Sequence, residues 1–93
     1  MEQIKWTNKS LKDLKAIYDF ISLDSKFYAA RFTNRLMQRV DQLVLFPESG
    51  RIVPEKSNPE IIELIEGNYR IFYSQNNNLI TILRIHNAAK RIR

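Results

Sequence analysis

The stretch I-I-E-L-I-E-G-N-Y-R-I-F-Y-S-Q-N-N-N-L-I-T-I-L-R-I-H, residues 61–86, decides the fold of this chain. It contains three runs rich in β-branched and aromatic residues, which are typical of strands. Gly67-Asn68 separates the first two runs, and Asn76-Asn77-Asn78 separates the second from the third. Glycine and asparagine both tolerate the positive φ of a tight turn. The stretch therefore predicts consecutive antiparallel strands over residues 61–66, 69–75 and 79–86.

The residues before this stretch predict one strand and two helices. Glu2 to Trp6 alternates polar and apolar residues, as a short strand does. Two longer segments then carry apolar residues at intervals of three and four, which is the spacing of a helix. Thr7 or Asn8 can cap the first helix, and Asp24 or Ser25 the second. The apolar residues of the two helices are Leu11, Leu14, Ile17, Tyr18 and Ile21, followed by Ala29, Phe32, Leu36, Val40 and Leu43.

Prolines mark the boundary between the helical half and the strand-rich half. The second helix is expected to end near Leu45, because Pro47 cannot continue the hydrogen-bond ladder. All three prolines lie within residues 47–59, which predicts a loop with a short strand at Arg51 to Val53. The order β-α-α-β-β-β predicts an α+β fold: a helical hairpin packed on one face of a twisted, mainly antiparallel sheet. Since no linker or repeat is visible, we expect a single domain over residues 1–93.

The composition excludes several classes of site. The 93 residues include no Cys and one His, which excludes disulfides, thiolate metal sites and a Cys nucleophile, and argues against a His-rich metal centre. We therefore expect no metal and no small-molecule cofactor. No apolar run is long enough to span a membrane, and the first residues lack the apolar core of a signal peptide. We expect an intracellular, cytoplasmic protein with no membrane partner.

The positive charge is concentrated at the C-terminal end. Residues 1–66 hold ten basic and ten acidic side chains, whereas residues 67–93 hold five basic ones and no acid, which accounts for the net charge of +5. The five are Arg70, Arg84, Lys90, Arg91 and Arg93. Such asymmetry favours a polyanionic or acidic partner at that end, with a basic tail that only aids solubility as the alternative.

Alternation along the last two strands predicts which side chains the helices leave uncovered. Period-2 spacing places one set on the face away from the helical hairpin. This predicted open face consists of Arg70, Phe72, Ile80, Ile82, Arg84 and His86. The set expected to face the helices is Tyr69, Ile71, Tyr73, Leu79, Leu83 and Ile85. Large apolar groups beside cations on an uncovered face are typical of an interaction surface.

Five motifs in order resemble one protein family. They are W-T-x-x-x-x-x-D-L-x-x-I-Y-D-F-I (6–21), A-x-x-F (29–32), L-x-x-F-P-E-S-G-R (43–51), E-L-I-E-G-N-Y-R-I-F-Y (63–73) and I-L-R-I-H (82–86). Together they resemble the RelE/ParE superfamily, the toxins of bacterial type II toxin–antitoxin modules, over about residues 4–90. The resemblance implies a toxin held inactive by a cognate antitoxin, whose C-terminal segment wraps the open surface and supplies acidic residues.

The resemblance leaves two activities open. RelE-like members cleave mRNA in the ribosomal A site, and ParE-like members poison DNA gyrase. For the nuclease, the matching positions are Arg70 as the phosphate-holding arginine, His86 as the catalytic histidine of some members and Glu63 as the acidic base of others, with Arg84 on the same face. The lysine pair of the best-known nucleases is absent, since residues 59–66 read P-E-I-I-E-L-I-E, and no tyrosine lies near the C-terminus.

The remaining features favour the ParE branch. They are the loop F-P-x-x-G-R-x-V-P-E (46–55), the long second helix and the ending I-x-R-I-H-x-x-x-K-R (82–91). The resemblance thus implies binding to DNA gyrase, with ribosome-dependent mRNA cleavage as the alternative. The residues expected to contact partners are Arg51, Arg70, Phe72, Ile80, Ile82, Arg84, His86, Lys90 and Arg91.

Structural roles for several of these arginines are equally open. Arg70 can pair with Glu63 or Glu66 across strands, and Arg51 can brace its loop against Glu48 or Glu55. Arg31, Arg35 and Arg39 follow one face of the second helix at a spacing of four. That face is interpreted as solvated or, alternatively, as a contact for antitoxin or gyrase.

Overall fold

The computed structural model describes residues 2–53 and 60–88. The elements in chain order are β1 (Gln3–Trp6), α1 (Asn8–Ser22), α2 (Lys26–Asp41), a 3₁₀ turn (Gln42–Val44), β2 (Arg51–Ile52), β3 (Ile61–Glu66), β4 (Tyr69–Asn76) and β5 (Leu79–Asn87). The predicted α+β order is confirmed, with β2 as the expected short strand in the proline-rich segment. Lys90, Arg91 and Arg93 lie outside the described residues.

The five strands form one mixed sheet in the order β1-β5-β4-β3-β2. β3, β4 and β5 are joined as consecutive antiparallel strands, as predicted. β1 pairs in parallel with the first half of β5, from Gln3 opposite Leu79 to Trp6 opposite Ile82. This pairing places the start of the helical hairpin beside β5.

Both helices begin at hydroxyl caps. The Thr7 hydroxyl accepts a hydrogen bond from the backbone N–H of Ser10 at 3.1 Å and donates to the carbonyl of Ile82 at 2.9 Å. The Ser25 hydroxyl accepts from the N–H of Tyr28 at 3.1 Å. Each cap satisfies an orphan donor of the first turn, and the first also ties α1 to β5. α2 ends at Asp41, earlier than predicted, because the chain tightens into the 3₁₀ turn before Pro47.

The strand turns have the backbone conformation that their residues favour. Asn77 and Asn78 have φ of 51° and 64°, and Gly67 has φ of 57°. Two successive positive φ values are typical of the two-residue turn that matches the twist of a β-hairpin. β4 therefore extends through Asn76, one residue beyond the prediction.

A β-bulge in β5 changes which side chains face the helices. Phe72 lies opposite Arg84, but the next residue, Tyr73, lies opposite Ile82, so Leu83 is an extra residue in the ladder. An extra residue shifts the alternation of the strand by one position. The predicted facing therefore fails on the N-terminal side of the bulge and remains correct on its C-terminal side.

The assignment of Ile80 and Ile82 to the open face was wrong for this reason. Both are fully buried at 0% exposure and belong to the core between the helices and the sheet. Leu79, which was expected to face the helices, is 37% exposed. Ile85 packs in the core as predicted.

The core lies between the helical hairpin and the inner face of the sheet. Its buried members are Ile17, Leu36, Val40, Leu43, Leu64, Ile71, Tyr73, Ile80, Ile82 and Ile85. They come from both helices, the 3₁₀ turn and three strands, so the core holds the helical hairpin on one face of the sheet and leaves the other face, the outer face, uncovered by helices.

Within the described residues, no helix has the length and apolar character needed to cross a membrane.

Candidate functional site

Glu63 connects two arginines on the outer face of the sheet, the face away from the helices. It lies opposite Arg51 on β2 and opposite Phe72 on β4. Its side chain is fully buried, and each carboxylate oxygen accepts from a different arginine. Oε1 accepts from Nε of Arg51 at 2.8 Å, and Oε2 accepts from Nε of Arg70 at 2.6 Å. One buried carboxylate therefore holds two guanidinium groups, which leaves this cluster with one net positive charge.

Phe72 lies beneath the second of these arginines. The Arg70 guanidinium carbon lies 5.0 Å from the centre of the Phe72 ring, and the His86 ring packs edge-on against it at 5.4 Å. Phe72 is only 5% exposed, and the Arg70 side chain 12%. The expectation that large apolar groups lie uncovered at the middle of this face was therefore wrong. Polar side chains pack against the ring of Phe72 there, and Ile80 and Ile82 face the core.

Arg84 follows the register of the outer face, but its guanidinium binds a helix. Its Nε donates to Oδ2 of Asp13 on α1 at 2.8 Å, and its Nη2 donates to Oδ1 at 3.2 Å. The backbone N–H of Ile85 donates to the same Oδ2 at 2.9 Å. This two-pronged ion pair connects α1 to β5 beyond the end of β1. Arg84 and Arg70, which were expected to act from the same face, thus have different carboxylate partners.

The Asp13 carboxylate stays ionised in this contact. Burial acts to raise its pKa, but the hydrogen bonds from Arg84 and from the Ile85 backbone, with the positive charges of Arg84 and His86, outweigh it. The pKa of Asp13 therefore lies below its ordinary value.

A recess of about 300 Å³ lies between α1 and the end of β5. Asp13, Phe20, Tyr69, Arg84 and His86 are among its lining residues. His86 lies opposite Arg70 in the ladder, so it links this recess to the arginine cluster around Glu63.

Tyr73 holds the F-P-E-S-G-R loop in place. Its hydroxyl donates to the carbonyl of Pro47 and accepts from the N–H of Gly50, each at 3.1 Å. A Cβ on Gly50 would lie 2.5 Å from that hydroxyl and 2.6 Å from the carbonyl of Glu63, so only glycine allows this approach. Burial raises the pKa of Tyr73 despite the Gly50 hydrogen bond and the Arg39 charge. The loop motif therefore positions Arg51 beside Glu63.

The predicted site residues fall into four groups. The first group comes together on the outer face and consists of Glu63, Arg51, Arg70, Phe72 and His86. Arg84 binds Asp13 on α1, and Ile80 and Ile82 lie in the core. Lys90 and Arg91 lie outside the described residues. Asp13 was missed by sequence reasoning. Its position in the W-T-x-x-x-x-x-D-L motif was its only sequence signal.

The described part of the chain contains no cluster of metal-binding side chains. Across residues 2–53 and 60–88, no group of three or more His, Cys, Asp or Glu side chains is placed to hold a metal ion.

Comparison with known proteins identifies the class of this fold and site. The chain is a type II toxin–antitoxin toxin of the RelE/ParE superfamily. A family model described as "ParE toxin of type II toxin-antitoxin system, parDE" matches residues 4–92, and the chain belongs to that family.

Two curated relatives match nearly the whole chain. Toxin RelE2 of Caulobacter vibrioides is 34% identical over 90 residues, covering 97% of this chain and 99% of the relative. Putative toxin Y4kP of Sinorhizobium fredii is 33% identical over 87 residues, covering 91% and 90%. The first relative carries a RelE name, whereas the matching family model is described as a ParE toxin.

Two solved structures share the architecture. A chain of the chromosomal ParDE toxin–antitoxin system from P. aeruginosa superposes with a TM-score of 0.76 at 27% identity, covering 94% of this chain and 96% of that one. A chain of the toxin–antitoxin complex RelBE2 from Mycobacterium tuberculosis gives a TM-score of 0.71 at 16% identity, covering 92% and 96%. The second likeness is evidence of fold alone.

Proposed function

We propose that this toxin acts in the cytoplasm by binding and poisoning DNA gyrase, and that a cognate antitoxin neutralises it. The family match to ParE toxins over residues 4–92 supports the choice of branch. The proposal treats the outer face as a binding surface and not as a catalytic centre.

The state of Glu63 is the observation that carries the proposal. Cleavage of RNA through its 2′-hydroxyl needs a base for that hydroxyl, an acid for the leaving oxygen and cations for the phosphate. The Glu63 side chain is buried and each of its carboxylate oxygens already accepts from an arginine, so it is not presented to a substrate hydroxyl. Arg84, the second candidate cation, is bound to Asp13. Arg70 and His86, from the same predicted nuclease set, lie opposite each other across β4 and β5 on the outer face.

An antitoxin partner is supported by the charge of this face and by the solved structures. Arg51 keeps 65% of its side chain exposed while it contacts Glu63, so it can also meet an acidic partner at the rim. Both similar structures come from toxin–antitoxin systems. An acidic segment crossing the outer face would complement the unbalanced positive charge of the Arg51–Glu63–Arg70 cluster.

Two assays on the purified toxin test the proposal. The first follows DNA supercoiling by gyrase, and the second follows mRNA cleavage on translating ribosomes. We expect inhibition of supercoiling and no cleavage, and we expect added antitoxin to restore supercoiling. Cleavage with unaffected supercoiling would overturn the proposal.

The alternative of ribosome-dependent cleavage depends on His86 and Arg70. The relative named RelE2 and the pairing of these residues across β4 and β5 favour it. If cleavage is found, the His86→Gln variant separates chemistry from binding: a catalytic His86 predicts loss of cleavage with retained ribosome binding. Loss of both would assign His86 to binding alone.

A further inference from the structure

The exposed face of α2 carries polar and basic side chains that have no role in the proposed gyrase contact. Four polar side chains, Arg31, Asn34, Arg35 and Gln38, line one shallow recess along the helix. All four are exposed. Their spacing of three and four residues places them on one side of the helix. The single acid of α2 is Asp41, its last residue.

The contrast with α1 makes this face unusual within the molecule. α1 carries lysines, with Asp13 and Asp19 among them, and Lys15 pairs with Asp19 at 2.8 Å. The basic residues in the recess on α2 are arginines. A guanidinium binds a phosphate through two parallel hydrogen bonds, whereas the lysine ammonium acts as a point charge. The positive face of α2 is thus built from groups suited to phosphate.

We infer that the exposed face of α2 binds the phosphate backbone of duplex DNA through Arg31 and Arg35, with Asn34 and Gln38 as neutral donors. Arginine, asparagine and glutamine side chains are among those that contact phosphates in protein–DNA complexes. The inference goes beyond gyrase inhibition and does not depend on it, because naked DNA is the proposed ligand.

The composition of the recess favours DNA over an acidic protein segment. Protein interfaces have an apolar, desolvated centre, whereas DNA interfaces are polar and strongly positive. The four side chains that line this recess are all polar. Two further arginines, Arg39 and Arg51, line another recess together with Ser49, Glu63, Leu64 and Ile65, and the Glu63 carboxylate there is shared by Arg51 and Arg70. The polar, positive recess on α2 fits a polyanion.

Glu66 restrains one of the two arginines. Nε of Arg35 lies 3.3 Å from Oε1 of Glu66, while 63% of the Arg35 side chain remains exposed. A phosphate would compete with this carboxylate for the guanidinium. Removal of the carboxylate is therefore expected to strengthen DNA binding, which gives a variant that gains function.

The test measures fluorescence anisotropy of a labelled 20-base-pair duplex of mixed sequence with the purified full-length toxin, between 50 and 200 mM NaCl. We expect Arg31→Gln/Arg35→Gln to weaken binding at 50 mM by about 10-fold and to lower the log–log salt slope by about two. The control Lys9→Gln/Lys12→Gln removes the same charge from exposed positions of α1 and should change affinity by less than about twofold. Circular dichroism checks that each variant is folded.

The Glu66→Gln variant distinguishes the effect of the positive charge of this face on DNA binding from the effect of breaking the Arg35–Glu66 ion pair. It breaks the same Arg35 pair as Arg35→Gln, but it should tighten DNA binding by a few fold. Absence of binding by the wild-type toxin, or equal losses in the arginine and lysine pairs, would overturn the inference. So would unchanged binding in the arginine pair, or an arginine-pair defect confined to the cognate antitoxin. None of these results would bear on gyrase inhibition, which is measured separately.

Discussion

The Arg70 guanidinium and the Glu63 carboxylate meet at 2.6 Å on neighbouring strands, where Glu63 has no solvent exposure and Arg70 very little. A buried ion pair of this kind is often no better for stability than apolar residues of similar size, but breaking it leaves an uncompensated charge. Arg51 reaches the other oxygen of Glu63 from the rim. Breaking the pair is therefore expected to destabilise the sheet, and the addition of Arg51 gives the cluster on the outer face its unbalanced positive charge.

We expect Arg70→Met to destabilise the protein by about 3 kcal/mol, because the buried Glu63 carboxylate loses its buried cation and keeps the largely exposed Arg51 as a partner. The double variant Arg70→Met/Glu63→Gln should lose less than the single variant, since it removes the stranded charge. Urea unfolding at neutral pH measures both. A double variant less stable than Arg70→Met would contradict a stability role for the charge pairing.

Loss of toxicity in an Arg70 variant can result from loss of folding as well as from loss of partner binding. A nontoxic Arg70→Ala variant is informative about partner binding only if the variant is folded. Toxicity should therefore be compared at equal soluble protein, with the unfolding curve measured for the same preparation.

We expect the Asp13–Arg84 contact to make stability depend on pH in the acidic range. The pKa of Asp13 in the folded protein lies below its ordinary value of 3.8. Folding therefore favours the ionised form, and its contribution is complete above that ordinary pKa and is lost as the pH falls through the folded value. Asp13→Asn should cost about 1–2 kcal/mol at pH 7 and progressively less below pH 4.

Urea unfolding of wild type and Asp13→Asn at pH 7, 5 and 3 measures this effect. Asp19→Asn is the matched control, because Asp19 pairs with Lys15 on the exposed side of the same helix. It should cause no measurable loss. An Asp13→Asn cost that stays constant from pH 7 to pH 3 would rule out the charge as its source.

The fold could be predicted from the sequence because its signals are local. Gly67 and the asparagines of the second turn fix two hairpins, and the hydroxyl residues Thr7 and Ser25 fix both helix starts. The facing of β5 could not be predicted along its whole length. The residues of β5 before Leu83 are leucine, isoleucine and threonine, which are compatible with either face, and the bulge at Leu83 depends on pairing with β4.

The candidate site could be predicted as a set of residues but not as a set of contacts. Arg70, Glu63 and His86 were identified from family motifs, and the Arg70–Glu63 ion pair was one of two alternatives. Asp13 is 71 residues from Arg84 along the chain. A contact at that separation leaves no pattern in one sequence, so the diversion of Arg84 to α1 was visible in the structure alone.

We expect Gly50→Ala to destabilise the protein by about 1–3 kcal/mol, because the added Cβ would overlap the Tyr73 hydroxyl and the Glu63 carbonyl. Thermal unfolding measures the loss. Ser49→Ala, at the exposed neighbouring position, is the control and should leave the transition nearly unchanged. Wild-type stability in Gly50→Ala would mean that the loop does not make this close approach.

Arg51 offers the cleanest test of the outer face as a partner surface. It is largely exposed, and its removal leaves Glu63 bonded to Arg70, so Arg51→Gln should fold normally. We expect it to weaken antitoxin binding by about 10-fold at low salt, with a smaller difference at 0.5 M NaCl because exposed charges are screened. Isothermal titration calorimetry with the cognate antitoxin gives both values.

Lys5→Gln is the matched control for Arg51→Gln. Lys5 is exposed on β1, at the opposite edge of the sheet, and its register with Thr81 and Ser74 places it on the same outer face. It removes the same charge without touching the Glu63 cluster, so its antitoxin affinity should stay within about twofold of wild type. Equal losses in the two variants would show that overall charge, and not the arginine cluster around Glu63, governs the antitoxin contact. Unchanged affinity in both would place the antitoxin on a different surface.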